Sequence, residues 1–239
     1  MAGEDWPDLV AWLVGQGIGG LENLSGIPGT VGAAPVQNIS AYGVELAERF
    51  HSLTAYDRVE DVLVTLDRDA CGFGYRHSIF KATDRYVILD VTLSLPRPWK
   101  PVIGYKGLET LSGRPDADAV MKRVLELRRE KLPDWRLIGN AGSFFHNPVV
   151  AASVAARIPD APRYPQGDGR IKLAAGWLIE MCGLKAAREG SAGVHDDHAL
   201  ILVNHGGATF SDVARMAARV REAVHARFGI ELVQEPRTI

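Results

Sequence analysis

Residues 24–35 read Leu24-Ser25-Gly26-Ile27-Pro28-Gly29-Thr30-Val31-Gly32-Ala33-Ala34-Pro35, with three glycines at intervals of three and two prolines. No helix interior or central strand tolerates this density, because glycine raises the entropy cost of ordering and proline removes an N–H donor. The segment must therefore be a long loop between ordered elements. Glycines at this density also let backbone N–H groups approach a ligand closely, as phosphate and flavin sites require. The spacing is neither G-x-G-x-x-G nor a Walker loop. Spacing alone leaves two readings open, a ligand loop and an ordinary tight loop.

Ordered elements flank it. Asp5-Trp6-Pro7 offers an N-cap followed by proline, and Leu9, Val10, Leu13 and Val14 recur at helical spacing until Gly15 and Gly17. Strands are expected at Leu46–Tyr56, Val62–Leu66 and Arg85–Leu95; in the last, Val87, Leu89, Val91, Leu93 and Leu95 alternate. Helices are expected at Asp118–Arg129, at Leu173–Cys182, and from a Ser211 cap through Phe228 to Gly229. Ala199–Asn204 and Ile230–Gln234 read as short strands. The pattern breaks at Leu132-Pro133, which sets an expected boundary between domains 1–132 and 133–239. The fold class expected is α+β, with an α/β second half.

Composition narrows the functional classes. An apolar share of 46% in 239 residues can bury a substantial core, so disorder is excluded as the dominant state. The 27 basic residues against 29 acidic ones argue against nucleic acid or an anionic membrane as partner. No stretch nears the roughly 18 apolar residues of a membrane helix. The acidic opening Met1–Asp5 lacks a secretory apolar region, so the expectation is a soluble, cytoplasmic monomer. Cys71 and Cys182 lack CxxC spacing and read as reduced, mostly buried thiols. Met121, Met181 and Met216 fall on apolar helix faces and read as core.

Further segments could carry chemistry. Phe73-Gly74-Tyr75-Arg76-His77-Ser78 places an arginine fork where it could meet a carboxylate or developing enolate, or simply pair at the surface. Gly139-Asn140-Ala141-Gly142-Ser143-Phe144-Phe145-His146-Asn147-Pro148 sets a serine between a glycine turn and two aromatics. That hydroxyl could donate a proton in a dry pocket or serve a turn. It lacks the G-x-S-x-G elbow of an acyl-transfer nucleophile. Tyr105 and Lys131 could bind an anion, or be a half-buried tyrosine and a solvated helix-end lysine. His195-Asp196-Asp197-His198 has no helical ligand spacing, so no metal is expected.

Together these segments resemble one family, the type I UDP-N-acetylenolpyruvoylglucosamine reductases (MurB). The resemblance is carried by Leu21–Tyr42, Tyr75–Lys81, Lys131–Asp134, Gly139–Val149, Lys172–Ile179, His195 with Ala199–Asn204, and Glu231–Arg237, in family order over essentially the whole chain. It implies a flavoenzyme of peptidoglycan precursor synthesis with FAD and NADPH as cofactors. NADPH reduces FAD and departs, and the enolpyruvyl ether of UDP-N-acetylglucosamine takes its place and accepts hydride at its terminal vinyl carbon. By position, Arg76 would stabilise the carboxylate and enolate, Ser143 would donate the proton, and Glu235 would polarise the site. Ile27, Gly29, Gly32, Ala33, Val36, Gln37, Asn38 and Ala41 would contact the cofactor. Tyr75, Tyr105, Lys131, Asn147 and His198 would bind substrate.

The sequence departs from the family at four places. His146 stands where lysine is usual, Ser40 where glycine is usual, His198 where an amide is common, and Pro236 follows Glu235. Family members also begin with an α/β lobe whose Gly-Gly-Gly-Ser-Asn loop holds the FAD pyrophosphate, and nothing here matches it. The resemblance thus implies a truncated or mis-started member, with residues 1–132 a partial FAD-binding domain and 133–239 a substrate-binding domain. The rivals are another flavin oxidoreductase of the same superfamily, and an impaired fragment that binds UDP-sugar or a partner without holding FAD.

Overall fold

In a computed structural model, residues 1–236 are described, and the chain divides between Arg128 and Arg129 into two compact units. Arg237, the last residue of the matching stretch Glu231–Arg237, lies outside the described residues. In chain order the first unit carries α1 (Trp6–Gly15), β1 (Ser40–Ala41), β2 (Val44–Glu45), β3 (Phe50–Asp57), β4 (Val62–Asp67), α2 (Ile79–Ala82), β5 (Tyr86–Leu93) and most of α3 (Ala117–Lys131). The second carries β6 (Gly139–Ser143), β7 (Val149–Val150), α4 (Ala152–Ala156), β8 (Arg163–Pro165), β9 (Ile171–Leu173), α5 (Ala175–Met181), β10 (Arg188–Glu189), β11 (Ala192–Val194), β12 (Ile201–Asn204) and α6 (Phe210–Phe228). No helix among the described residues is long and apolar enough to cross a membrane.

Helix α1 forms for the reasons its sequence suggests. The Asp5 carboxylate accepts from the Asp8 N–H, proline occupies the first turn, and Trp6, Val10 and Val14 turn inward. They pack with Leu21, Leu24, Val31, Ile39, Val44 and Leu46. Helix α3 sets Val120, Val124 and Leu127 against Leu108. Met121, packed against the first of these clusters, and Met181 are both half-buried, and Met216 is fully buried.

Strands β4, β3 and β5 form an antiparallel sheet in that order. Residues 46–48 are a 3₁₀ turn closed by the Arg49 N–H on Leu46 O, so the first expected strand starts only at Phe50. The even alternation read in β5 is also broken. Ala55 pairs with Ile88 but Thr54 pairs with Asp90, so Leu89 is an extra residue. A one-residue bulge reverses the faces. Ile88 and Val91 therefore turn inward while Val87 (47% exposed) and Leu89 (38%) face out.

At the end of β3, buried Asp57 receives two nitrogens of the Arg85 guanidinium and the N–H groups of Val59 and Glu60. The Arg85 bonds hold its carboxyl down to about 2, below the ordinary value of about 3.9. The stabilisation is full above the unfolded value and is lost as pH falls from about 4 through about 2. The urea midpoint of the wild-type chain should therefore fall faster between pH 5 and 2 (roughly the span of the two ionisations) than that of Asp57→Asn. Parallel pH curves would refute the assignment. Cys71, fully buried, has its thiol pushed up to about 12 by desolvation, and half-buried Cys182 is raised for the same reason.

In the second unit all strand pairs are antiparallel: β10-β11-β12-β6 form one sheet and β7-β9-β8 another. Helix α6 buries Met216, Ala217, Val220 and Val224 in a core with Leu178, Ile179, Val194 and Phe145. Its cap is Thr209 rather than Ser211, because Asp212 stands three residues after Thr209 and the two side chains exchange bonds with each other's backbone N–H. Gly229, at φ 67°, ends it as expected. Leu173 belongs to β9, not to a helix, since its N–H is taken by Pro148 O and α5 starts two residues later. Residues 230–234 form no regular strand; only Gln234 bridges to Phe145.

Candidate functional site

The glycine-rich loop is exposed at Pro28, Gly29, Thr30 and Ala33. Gly29 lies at φ 123°, and a Cβ built on it would meet nothing nearer than the Ala33 Cβ at 4.0 Å. That open face is the part of the loop that fits a planar or phosphate-bearing group. Other positions are spent on structure. The N–H groups of Val31 and Gly32 donate to Glu4 O and Ala2 O, and a Cβ on Gly32 would lie 2.5 Å from the Ala2 Cβ. Gly32 is thus required by the residues that run alongside it. Asn38, buried at φ 46°, accepts from the Ala47 N–H and donates to Glu45 Oε2 and Gly74 O.

These Asn38 bonds tie the loop to the Arg76 turn. Gly74 and His77 exchange backbone hydrogen bonds at 3.0 and 3.1 Å, leaving Tyr75 and Arg76 at the tip. Arg76 sits at φ 55°, a left-handed conformation costing a non-glycine residue about 1–2 kcal/mol. Such strain persists where the surroundings over-determine it, as they do here. Lys81 Nζ donates to Arg76 O at 3.3 Å, Ser78 Oγ donates to Val36 O at 2.5 Å, and the guanidinium lies 5.4 Å from the Tyr75 ring. Its Nη1 donates to Ser40 Oγ at 2.6 Å and its Nη2 to Ser40 O at 3.3 Å. Val36, Asn38, Tyr75 and Arg76 are thus gathered by one polar network, with Ala41 next to Ser40 in β1. Gln37 lies beside Asn38 in the same 3₁₀ turn. Tyr105, 44% exposed, meets the Tyr42 ring edge-on at 5.1 Å.

In the second unit Ser143 ends β6 opposite Ile201. Residues 140–143 span what 201–203 span on β12, so β6 carries one extra residue, with Gly142 at φ 70° just before the serine. The Asn140 side chain holds this bulge by accepting from the Gly142 N–H. Bulges re-aim the next side chain, and here it is Ser143. The neighbouring Phe144 O accepts from the Glu235 N–H at 2.8 Å, and the His146 N–H donates to Val233 O. Glu235, 92 residues away in sequence (235 − 143), is therefore paired one residue from Ser143.

The His195–His198 turn adjoins the same point, since His195 N–H donates to Ile201 O and Ile201 N–H to His198 O. His195 Nδ1 accepts from the Asp197 and His198 N–H groups, and the two rings stack at 5.3 Å. Burial and His195 lower the His198 imidazole below its ordinary value. Asn147 Oδ1 accepts the Ala175 N–H at the start of α5, and Lys131 is exposed at the end of α3. Among the described residues no group of three or more His, Cys, Asp or Glu could hold a metal ion.

The sequence reading named the glycine turn before Ser143 but missed two things, the Asn140 side chain that holds this turn and the tie of Ser40 to Arg76. The Asn140-Ala141-Gly142 turn had a local signal, an Asx residue two before a glycine. Ser40 as the acceptor for Arg76 had none, because the two lie 36 residues apart.

Comparison with known proteins agrees with this layout. Residues 133–239 match the family described as UDP-N-acetylenolpyruvoylglucosamine reductase, C-terminal domain, and residues 1–65 match a FAD binding domain. The chain is 53% identical to a UDP-N-acetylenolpyruvoylglucosamine reductase from Azoarcus sp., over 98% of this chain and 71% of that protein. The reductase of Pseudomonas aeruginosa is 52% identical over 98% and 72%, and that of Ralstonia nicotianae 50% over 100% and 73%. The crystal structure of the reductase from Thermus caldophilus superposes with a TM-score of 0.70 at 25% identity, over 99% of this chain and 70% of that one. An α+β chain that joins part of a FAD binding domain to this C-terminal domain, at such identity, belongs to the UDP-N-acetylenolpyruvoylglucosamine reductase family.

Proposed function

We propose that the chain reduces UDP-N-acetylglucosamine enolpyruvate to UDP-N-acetylmuramate with NADPH, in the reducing cytoplasm that its unpaired thiols suit. The first unit would be the partial FAD-binding domain and the second the substrate-binding domain. The observation that supports this most is the pairing of Glu235 beside Phe144. It sets a carboxylate residue one position from a re-aimed serine, in a chain half-identical to curated reductases.

FAD, when bound, supplies the two-electron redox chemistry, and the stretch from half-buried Ile27 to exposed Gly29 and Ala33 is where this unit would hold it. Arg76 binds the substrate carboxylate, and its fixed charge opposes the negative charge that builds there when hydride reaches the terminal vinyl carbon. The Ser143 O–H then passes its proton to the α-carbon, which completes addition of one hydride and one proton across the double bond. Glu235 polarises that end of the site. Tyr75, Tyr105, Lys131, Asn147 and His198 contact the nucleotide sugar.

The purified chain should elute yellow, with flavin absorbance following the protein, and should oxidise NADPH beyond one equivalent per flavin only when the enolpyruvyl nucleotide is present. A colourless chain that binds the nucleotide but oxidises no NADPH in excess FAD would instead identify a binding fragment.

A further inference from the structure

Arg76 is more tightly held than its side chain alone allows. An arginine on a free turn explores many rotamers and loses that freedom on binding a ligand. Here the backbone is fixed by the Gly74–His77 pair and by Lys81 on Arg76 O, and the side chain lies against the Tyr75 ring and docks on Ser40. Ser40 accepts from both terminal nitrogens, Nη1 through its hydroxyl at 2.6 Å and Nη2 through its carbonyl at 3.3 Å. Two bonds to one residue set the plane of the fork. Ser40 is itself anchored, since it pairs with Glu45 across the β1–β2 hairpin, and Glu45 accepts from the Asn38 amide that also donates to Gly74 O. The hydroxyl accepts a charge-assisted bond and retains its own O–H, which such polarisation makes a better donor.

We propose that Ser40 is a positioning residue for Arg76, whose docking on it makes the chain select a nucleotide sugar bearing a carboxylate over the same nucleotide sugar without one. The proposal rests on the carboxylate role given to Arg76 above. Nothing in the local sequence marks Ser40 for this task; the connection exists only through the hairpin and the turn.

The test is calorimetric titration of the purified chain with UDP-N-acetylglucosamine enolpyruvate and with UDP-N-acetylglucosamine, which lacks the carboxylate. The wild-type chain should prefer the first. Ser40→Ala, which removes the hydroxyl, should cut that preference about tenfold and leave affinity for UDP-N-acetylglucosamine unchanged. Ser40→Thr restores a hydroxyl on a residue suited to a strand and should recover the preference. In turnover, Ser40→Ala should raise KM more than it lowers kcat. Full preference retained in Ser40→Ala but lost in Arg76→Lys would overturn the role of Ser40 and leave that of Arg76 standing. Preference retained in Arg76→Lys would overturn both. Equal weakening toward the two nucleotides in Ser40→Ala would mark a general structural role and also refute the proposal.

Discussion

Ser143→Ala is expected to lower kcat by about 10²–10⁴-fold with little change in KM, the loss typical of a removed proton donor. The argument starts from the strand. The extra residue in β6 and the left-handed Gly142 turn the backbone just before Ser143, and the Asn140 side chain locks that turn. The following Phe144 and Phe145 are buried, so the chain that leaves the half-buried serine is anchored in the apolar core. Single-turnover measurements in deuterated buffer check the assignment directly. Deuterium should enter the α-carbon of the product more slowly in Ser143→Ala, while flavin reoxidation at the hydride step is affected less. Unchanged turnover in a variant that still holds flavin would give the proton to another donor.

Trp6→Ala is expected to destabilise the chain by about 3–5 kcal/mol, the range for removing a large aromatic side chain from a core. Trp6 is 1% exposed and opens α1. Its backbone N–H donates to Gly29 O at 2.9 Å and its indole Nε1 to Leu24 O at 3.0 Å. One residue thus fastens the helix to the start and the middle of the glycine-rich loop. Trp6→Phe keeps most of the ring but leaves the Leu24 carbonyl buried without its donor, which should cost about 1–3 kcal/mol. Urea unfolding measures both as a lower midpoint at constant slope. If Trp6→Phe is as stable as wild type, the indole bond contributes nothing.

The two variants differ in how visible their reasons are in sequence. Trp6 was readable as the start of an amphipathic helix, because capping and 3.6-residue periodicity act within a few residues. The same holds for the stop at Gly229, for the strand Val62–Leu66, and for the serine flanked by glycine and aromatics. The faces of β5 were not readable, since the pairing that skips Leu89 is set by β3, more than thirty residues earlier in the chain. The cap of α6 was misplaced by two residues because Thr209 and Ser211 are both good caps. The reciprocal partner Asp212 decided between them.

The amino-acid sequence by itself determined the family, the glycine-rich loop and the elements with strong periodicity, and it named Arg76, Ser143 and Glu235 as the residues to propose for the site, because these follow from residue type, spacing and resemblance. Tertiary structure decided what each is fastened to. Ser40 meets Arg76 and Phe144 meets Glu235 only after strands pair, and Gly32 is needed because residue 2 lies against it. Hydrogen bonding and close packing depend on distance in space, which separation along the chain does not encode.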